Sequence, residues 1–389
     1  MRDSKRGVER RPMEKQGEEK RREKTSSYFD YNLLFLIIFL VCFGLVMLYS
    51  SSSYIAANSA LFNYDGAYYL KKQLRNIAIG AVGMIALIFI DYRFWRKLSV
   101  LAYLGSFALC IAVFFIGSDS HGSTRWIDLG PISFQPSEIA KIGIILFLAM
   151  TLEKVAKNLK SGWNLIKVLL LVAPVIAAVA VSNLSTAVIL AGIAVCMLFV
   201  ASPKYWHFFF VGGAGVLFVA LFIAFAGYRM GRIEAWLNPE AAGAGAYQTL
   251  QGLYAIGSGG LFGKGLGESL QKLGNVPESQ NDMIFTIICE ELGLFGAVSV
   301  ILLFLLLIWR MMIIANNAKD LYGSLIVVGV MSHVAIQVIL NIAVVTNSIP
   351  NTGVILPFIS YGGTSFIFLL CEMGLVLSVS RGIKLEAIK

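Results

Sequence analysis

The stretch NVPESQNDMIFTIICEELGLFG, Asn275–Gly296, runs from a polar loop into an apolar segment, with Asp282 at the junction. The apolar run continues from Met283 to Trp309, longer than the roughly 20 residues that carry a helix across a bilayer. The segment is therefore expected to be a transmembrane helix, and a large polar insert with several carboxylates meets it at a water-to-membrane boundary.

Composition extends the reading to the whole chain. Of 389 residues, 57% are hydrophobic and 14% charged, against about 25% charged in an ordinary soluble domain. The mean hydropathy is +0.75. The 37 glycines fit helices that approach closely in lipid. Cys42, Cys110, Cys196, Cys289 and Cys371 all fall in apolar runs without CxxC spacing, which makes them packing residues. His121, His207 and His333 are scattered. No zinc, haem or other transition-metal site is expected.

Ten spans are expected, at about 33–48, 76–90, 100–116, 139–150, 165–181, 186–201, 207–226, 283–309, 325–345 and 354–379. The fold class is therefore all-α, a polytopic helical bundle. Met1–Thr25 carries ten basic and six acidic side chains and reads as a disordered tail rather than a cleaved signal. Residues 26–381 form the membrane domain and 382–389 a short second tail.

Twenty-three Lys and Arg fall on the side of the first tail and eight on the other. The positive-inside rule makes both termini cytoplasmic, and the even span count agrees. The formal charge of +9 is thus a topology signal rather than a nucleic-acid signature. The insert Tyr228–Asn281, 54 residues between spans seven and eight, becomes an extracellular loop. Its first half has apolar residues at near-helical spacing, and GSGGLFGKGLG is turn-rich. A phosphate loop is excluded, since Ser258 stands where the first glycine belongs and Gly265 follows Lys264. No nucleotide site is expected.

Charges inside spans are costly and point to function or pairing. Lys141 reaches Glu138 three residues back on the same helix face, either as an internal ion pair or as part of a positive wall with Arg125 for an anionic lipid headgroup. Asp282 is either a helix cap or a partly shielded carboxylate able to accept a proton from a sugar hydroxyl. Glu290 and Glu291 lie roughly 12 to 13.5 Å further along an ideal helix, too far for a rigid carboxylate pair with Asp282. They read as partners of Lys or Arg, or as pathway residues. The segment Asn347–Ser365 breaks the tenth span with Pro350, Pro357, Gly362 and Gly363. Irregular backbone at that depth needs protein or a watery cavity around it. Ser360, Tyr361, Thr364 and Ser365 are therefore expected in the same cavity as Asp282, and Glu372 is expected to point inward.

Three segments carry a resemblance: GSTRWIDLGPISFQPSEIAK, Gly122–Lys141; PESQNDMIFTIICEELGLFG, Pro277–Gly296; and PNTGVILPFISYGGTS, Pro350–Ser365. In that order over ten spans, the chain resembles the SEDS family (shape, elongation, division and sporulation), the group of FtsW, RodA and SpoVE, and looks closest to the FtsW or SpoVE branch. The resemblance implies a peptidoglycan glycosyltransferase that polymerises lipid II by an inverting β-1,4 transfer with release of undecaprenyl diphosphate and no covalent intermediate.

It further implies Asp282 as the catalytic base, with Arg125, Lys141 and Arg232 set against the diphosphate. The implied partners are a cognate class B penicillin-binding protein and other division proteins, and the implied place is the septal cytoplasmic membrane. The family leaves room for a divalent cation, magnesium or manganese, whose site is unknown here. One departure is SNLSTA, Ser182–Ala187, where Asn183 stands at a position that often holds a carboxylate. A lipid II flippase and a noncatalytic division scaffold remain as alternatives. An open cavity joining Asp282, Arg125 and the Ser360–Ser365 turn would favour chemistry, and a central alternating pathway would favour transport.

Overall fold

Polar residues ahead of apolar runs set where several helices begin. Asp30 accepts from the Leu33 N–H at 2.9 Å and opens α1, Tyr31–Ala57. Such caps satisfy amides that the first helical turn leaves without partners. In a computed structural model, residues 28–383 are described except 121–122, 130–131, 157–158, 160–161, most of 205–226, 241–242 and 244–245. The expected tail 1–25, most of span seven and residues 384–389 lie outside the described residues.

After α1 come α2, Tyr68–Phe89, and α3, Phe94–Ile116. A three-stranded antiparallel sheet follows: β1, Ser118–Ser120; β2, Ser123–Leu129; β3, Ile132–Phe134. Ile127 faces Phe134 and Asp128 faces Ser133 across the second pairing. Then come α4, Pro136–Val155; α5, Gly162–Ser182; and α6, Leu184–Ala201. Among its described residues the polar insert holds α7, Gly227–Leu237, and α8, Tyr247–Gly259, before a turn-rich stretch. The last three helices are α9, Ile284–Asn316; α10, Leu321–Val345; and α11, Ser365–Arg381.

Seven of these helices, α1, α2, α3, α5, α6, α9 and α10, are long and apolar enough to cross a membrane. Phe35, Val82, Leu101, Leu170, Leu305 and Ile339 are exposed around them, as lipid-facing side chains are. The fourth expected span is corrected from 139–150 to α4, a 20-residue helix. Hydropathy shortened it because Glu138, Glu153 and Lys154 flank the apolar run. Most of α4 is buried against α3, α6 and α10, so Glu138 and Lys141 meet protein rather than lipid. The tenth expected span is shortened to α11, and the expected break is borne out: residues 350–364 are irregular backbone, with turns at 357–359 and 363–364.

α9 is 33 residues long, roughly 50 Å if straight, which exceeds a hydrocarbon core of about 30 Å. It breaks at Gly293, whose φ of 66° favours glycine. The turn after α8 repairs the break: the Lys264 and Gly265 N–H groups donate to the Glu290 and Glu291 carbonyls at 2.9 and 3.0 Å. In return, Leu294 and Phe295 donate to the Gly260 and Leu261 carbonyls at 3.0 and 3.2 Å. Backbone groups freed by a kink inside a membrane protein need such partners. Gly263, with φ of 79°, allows the approach, because a Cβ there would overlap the Glu291 carbonyl.

Candidate active site

Asp282 lies one residue before the cap position of α9, which falls on Met283. It is buried, and its carboxylate accepts from Gln248 Nε2 of α8 at 3.3 and 3.4 Å. Its backbone carbonyl accepts from Asn341 Nδ2 of α10 at 2.8 Å, and the same amide donates to the Val354 carbonyl at 2.7 Å. Asn351 Nδ2 donates to Gln248 Oε1 at 3.2 Å. Helix α10 and the broken segment before α11 thus hold Asp282 from one side and α8 from the other.

The carboxylate borders a cavity of about 700 Å³. Arg125 of β2 and the α4 pair Glu138 and Lys141 line it with Asp282, and so do Tyr361, Thr364 and Ser365. Arg125 Nε donates to the Ser182 carbonyl at 2.9 Å, which anchors the sheet to the end of α5. Lys141 Nζ is 2.9 Å from Glu138 Oε2 and is buried. Thr364 Oγ1 donates to the Ser133 carbonyl of β3 at 3.0 Å, and Tyr361 N–H to the Gln280 carbonyl at 2.9 Å. The glycine-rich turn therefore bridges the sheet and the segment that carries Asp282.

Ser360 is a correction. It is buried away from the cavity, and its Oγ accepts from the Leu356 N–H at 2.8 Å, because an irregular turn needs local acceptors for its own amides. Glu290 and Glu291 belong to the loop repair: Lys264 Nζ lies 2.6 Å from Glu290 and Lys272 Nζ 2.8 Å from Glu291. Ser269 also bonds Glu290, and Ser50 donates to Glu291 at 2.7 Å. Glu372 sits behind the cavity wall, 2.6 Å from His333 Nδ1. Arg232 lies on α7, and its side chain is outside the described residues. Asn183 caps α6 by accepting from the Thr186 N–H at 3.2 Å, and it also lines the cavity.

Sequence reasoning missed Gln248, Asn341, His333 and Gln337, and counted Lys72 and Arg75 as topology markers only. Lys72, Arg75 and Gln337 line the cavity. The available signal was their polarity within or beside apolar helices, which is the pattern that marked Lys141. Among the described residues, no three His, Cys, Asp or Glu side chains converge to hold a metal ion. No step is routed through a magnesium or manganese ion.

A family model described as cell cycle protein, covering FtsW, RodA and SpoVE, matches residues 31–385. The chain belongs to the SEDS family. It is 41% identical over 367 residues to stage V sporulation protein E of Bacillus subtilis (strain 168), covering 92% of this chain and 98% of that protein. It is 37% identical over 358 residues to the probable peptidoglycan glycosyltransferase FtsW of Geobacter sp. (strain M18), covering 90% and 96%. Among solved structures, this SEDS chain superposes with a TM-score of 0.75 and 27% identity on a chain of a peptidoglycan synthase complex that coordinates polymerization and crosslinking, covering 91% and 98%. The rod shape determining protein RodA of Thermus thermophilus matches with a TM-score of 0.68 and 27% identity, covering 91% and 97%.

Proposed function

We propose that the chain is a peptidoglycan glycosyltransferase that polymerises lipid II, with Asp282 as general base. The observation that carries this reading is the buried Asp282 carboxylate on a cavity wall shared with Arg125, Lys141 and the Tyr361–Ser365 turn. In the reaction, the 4-hydroxyl of the acceptor GlcNAc attacks the anomeric carbon of MurNAc at the end of the growing strand. Asp282 takes the hydroxyl proton as the new carbon–oxygen bond forms. The bond from the anomeric carbon to the diphosphate breaks, and undecaprenyl diphosphate leaves with the electron pair. A single displacement inverts the centre and yields a β-1,4 link.

Gln248 orients the carboxylate for this step, and Arg125 and Lys141 bind the diphosphate oxygens from the bound substrate through to the leaving group. On this reading the Asp282 end of the bundle is extracellular and both termini are cytoplasmic, in keeping with the distribution of Lys and Arg. The chain works at the division septum, beside a class B penicillin-binding protein that crosslinks the peptides and with other division proteins.

The test uses purified protein with its class B partner in liposomes containing lipid II. Asp282→Asn and Asp282→Ala are expected to reduce glycan polymer by about 10²- to 10⁴-fold. Full polymerisation by either variant would sink the assignment of Asp282. Translocation of lipid II without polymer by the wild type would favour a transporter.

A further inference from the structure

His333 lies on α10 behind the cavity wall and is 2% exposed. Its Nδ1 is 2.6 Å from Glu372 Oε2, and its Nε2 is 2.9 Å from Lys141 Nζ and 2.7 Å from Gln337 Oε1. These groups come from three helices, α4, α10 and α11, and all are buried. A carboxylate accepts, so Nδ1 carries the proton in the bond to Glu372. A lysine ammonium only donates, so toward Lys141 the ring must offer the Nε2 lone pair.

Gln337 sharpens the choice. Its Nε2 donates to the Ile355 carbonyl at 3.0 Å, which leaves Oε1, an acceptor, facing His333. One protonation state of the ring therefore cannot serve both Lys141 and Gln337. A doubly protonated ring would satisfy Gln337 but would set two cations 2.9 Å apart. The neutral ring protonated at Nδ1 satisfies Glu372 and Lys141 together.

We propose that His333 and Glu372 are positioning residues for Lys141, in a design that rests on the polymerase reading above. Glu372 fixes the imidazole tautomer, and the imidazole accepts from the Lys141 ammonium. Glu138 accepts from the same ammonium at 2.9 Å. A lysine stem has four rotatable carbon–carbon bonds, and two acceptors from two helices hold its tip in one place on the cavity wall. The third ammonium donor is left for a diphosphate oxygen. Neither His333 nor Glu372 is among the described residues that line the cavity, so their effect on the reaction passes through Lys141. Supporting groups that fix a histidine tautomer play the same part behind metal ligands.

The experiment measures polymerisation against lipid II concentration, together with melting temperature, for the chain with its class B partner. His333→Leu removes the acceptor and is expected to raise KM for lipid II by about tenfold while kcat stays within about twofold. His333→Gln places an amide oxygen near the Nε2 position and is expected to bring KM back to within about threefold of wild type. Glu372→Gln keeps an acceptor for Nδ1 but no longer enforces one tautomer, so an intermediate KM is expected. That variant carries the test if His333→Leu does not fold.

A wild-type KM in His333→Leu, or equal loss in His333→Leu and His333→Gln carried by kcat or melting temperature alone, would overturn the inference. Wild-type polymer with an unchanged KM in the variants refutes positioning and leaves the polymerase reading intact. Absence of polymer from the wild type overturns that reading and the inference with it.

Discussion

Asn341 holds Asp282 by the backbone: one buried amide group on α10 donates to the Asp282 carbonyl at 2.8 Å and to the Val354 carbonyl at 2.7 Å. Two loops that arrive from different parts of the chain thus share one clamp beneath the carboxylate. Asn341→Leu leaves both carbonyls without that donor, at a cost of about 1–3 kcal/mol each. The expected outcome is a lower melting temperature and loss of polymer, while Asn341→Gln keeps the donor and regains part of both. Melting in detergent and a polymer gel check this.

Gln248 bears on the carboxylate itself. Hydrogen bonds to charged groups contribute about 1.5–3 kcal/mol, so losing this one should slow the chemical step by roughly ten- to a hundredfold. Gln248→Leu is expected to lower kcat with little change in KM for lipid II, and Gln248→Glu to lower it further by repulsion with Asp282. Steady-state kinetics separate the two parameters.

Lys272 and Glu291 form a buried pair on the turn that mends α9, with side-chain exposures of 7% and 0%. Breaking one partner of such a pair costs about 3–5 kcal/mol, since the other charge is stranded. Lys272→Met should therefore lower the melting temperature sharply. Adding Glu291→Gln to Lys272→Met should restore much of it, because no charge is then left buried. A thermal melt of the wild type and the two variants decides.

Gly293→Ala tests the break in α9. A Cβ there would overlap the Gly263 amide, and the φ of 66° adds about 1–3 kcal/mol of strain for a residue with a side chain. The variant should melt earlier and expose the 260–265 turn to protease. Gly257→Ala is the control: its Cβ meets nothing within 4 Å, and alanine favours the helix by about 1 kcal/mol.

At the other end of the bundle, Asp320 caps α10 and joins Arg93 at 2.8 Å and Tyr92 at 3.0 Å. Burial pushes its carboxyl up, but the Gly323 N–H and the Arg93 guanidinium outweigh burial and hold it below the ordinary value. As pH falls, the unfolded carboxyl takes its proton first. The stabilisation is therefore present above about pH 3.9 and is lost as pH drops through the lower folded value. Burial and the Asp320 charge push the Tyr92 hydroxyl up to about 12, so its contribution is present below about pH 10 and is lost as pH rises through 12. Melting temperature against pH should decline at both extremes, and Asp320→Asn should flatten the acid limb.

Local composition was sufficient for the membrane class, the order of the apolar helices and the turn-rich character of residues 257–267, because burial in lipid depends on runs of neighbouring residues. The motif around Asp282 identified the family, and Lys141 stood out by its charge within an apolar run. The small sheet that presents Arg125, the clamp of Asn341 on Asp282 and the junction of Lys141, His333 and Glu372 were not legible there. Asp282 meets Gln248 across 34 residues, and Lys141 meets His333 across 192. Such contacts depend on how far each helix is rotated about its axis and how deep it sits, and a hydropathy pattern encodes neither. The packing of α4 among α3, α6 and α10 sets both, and it turns isolated polar residues in apolar helices into one connected wall.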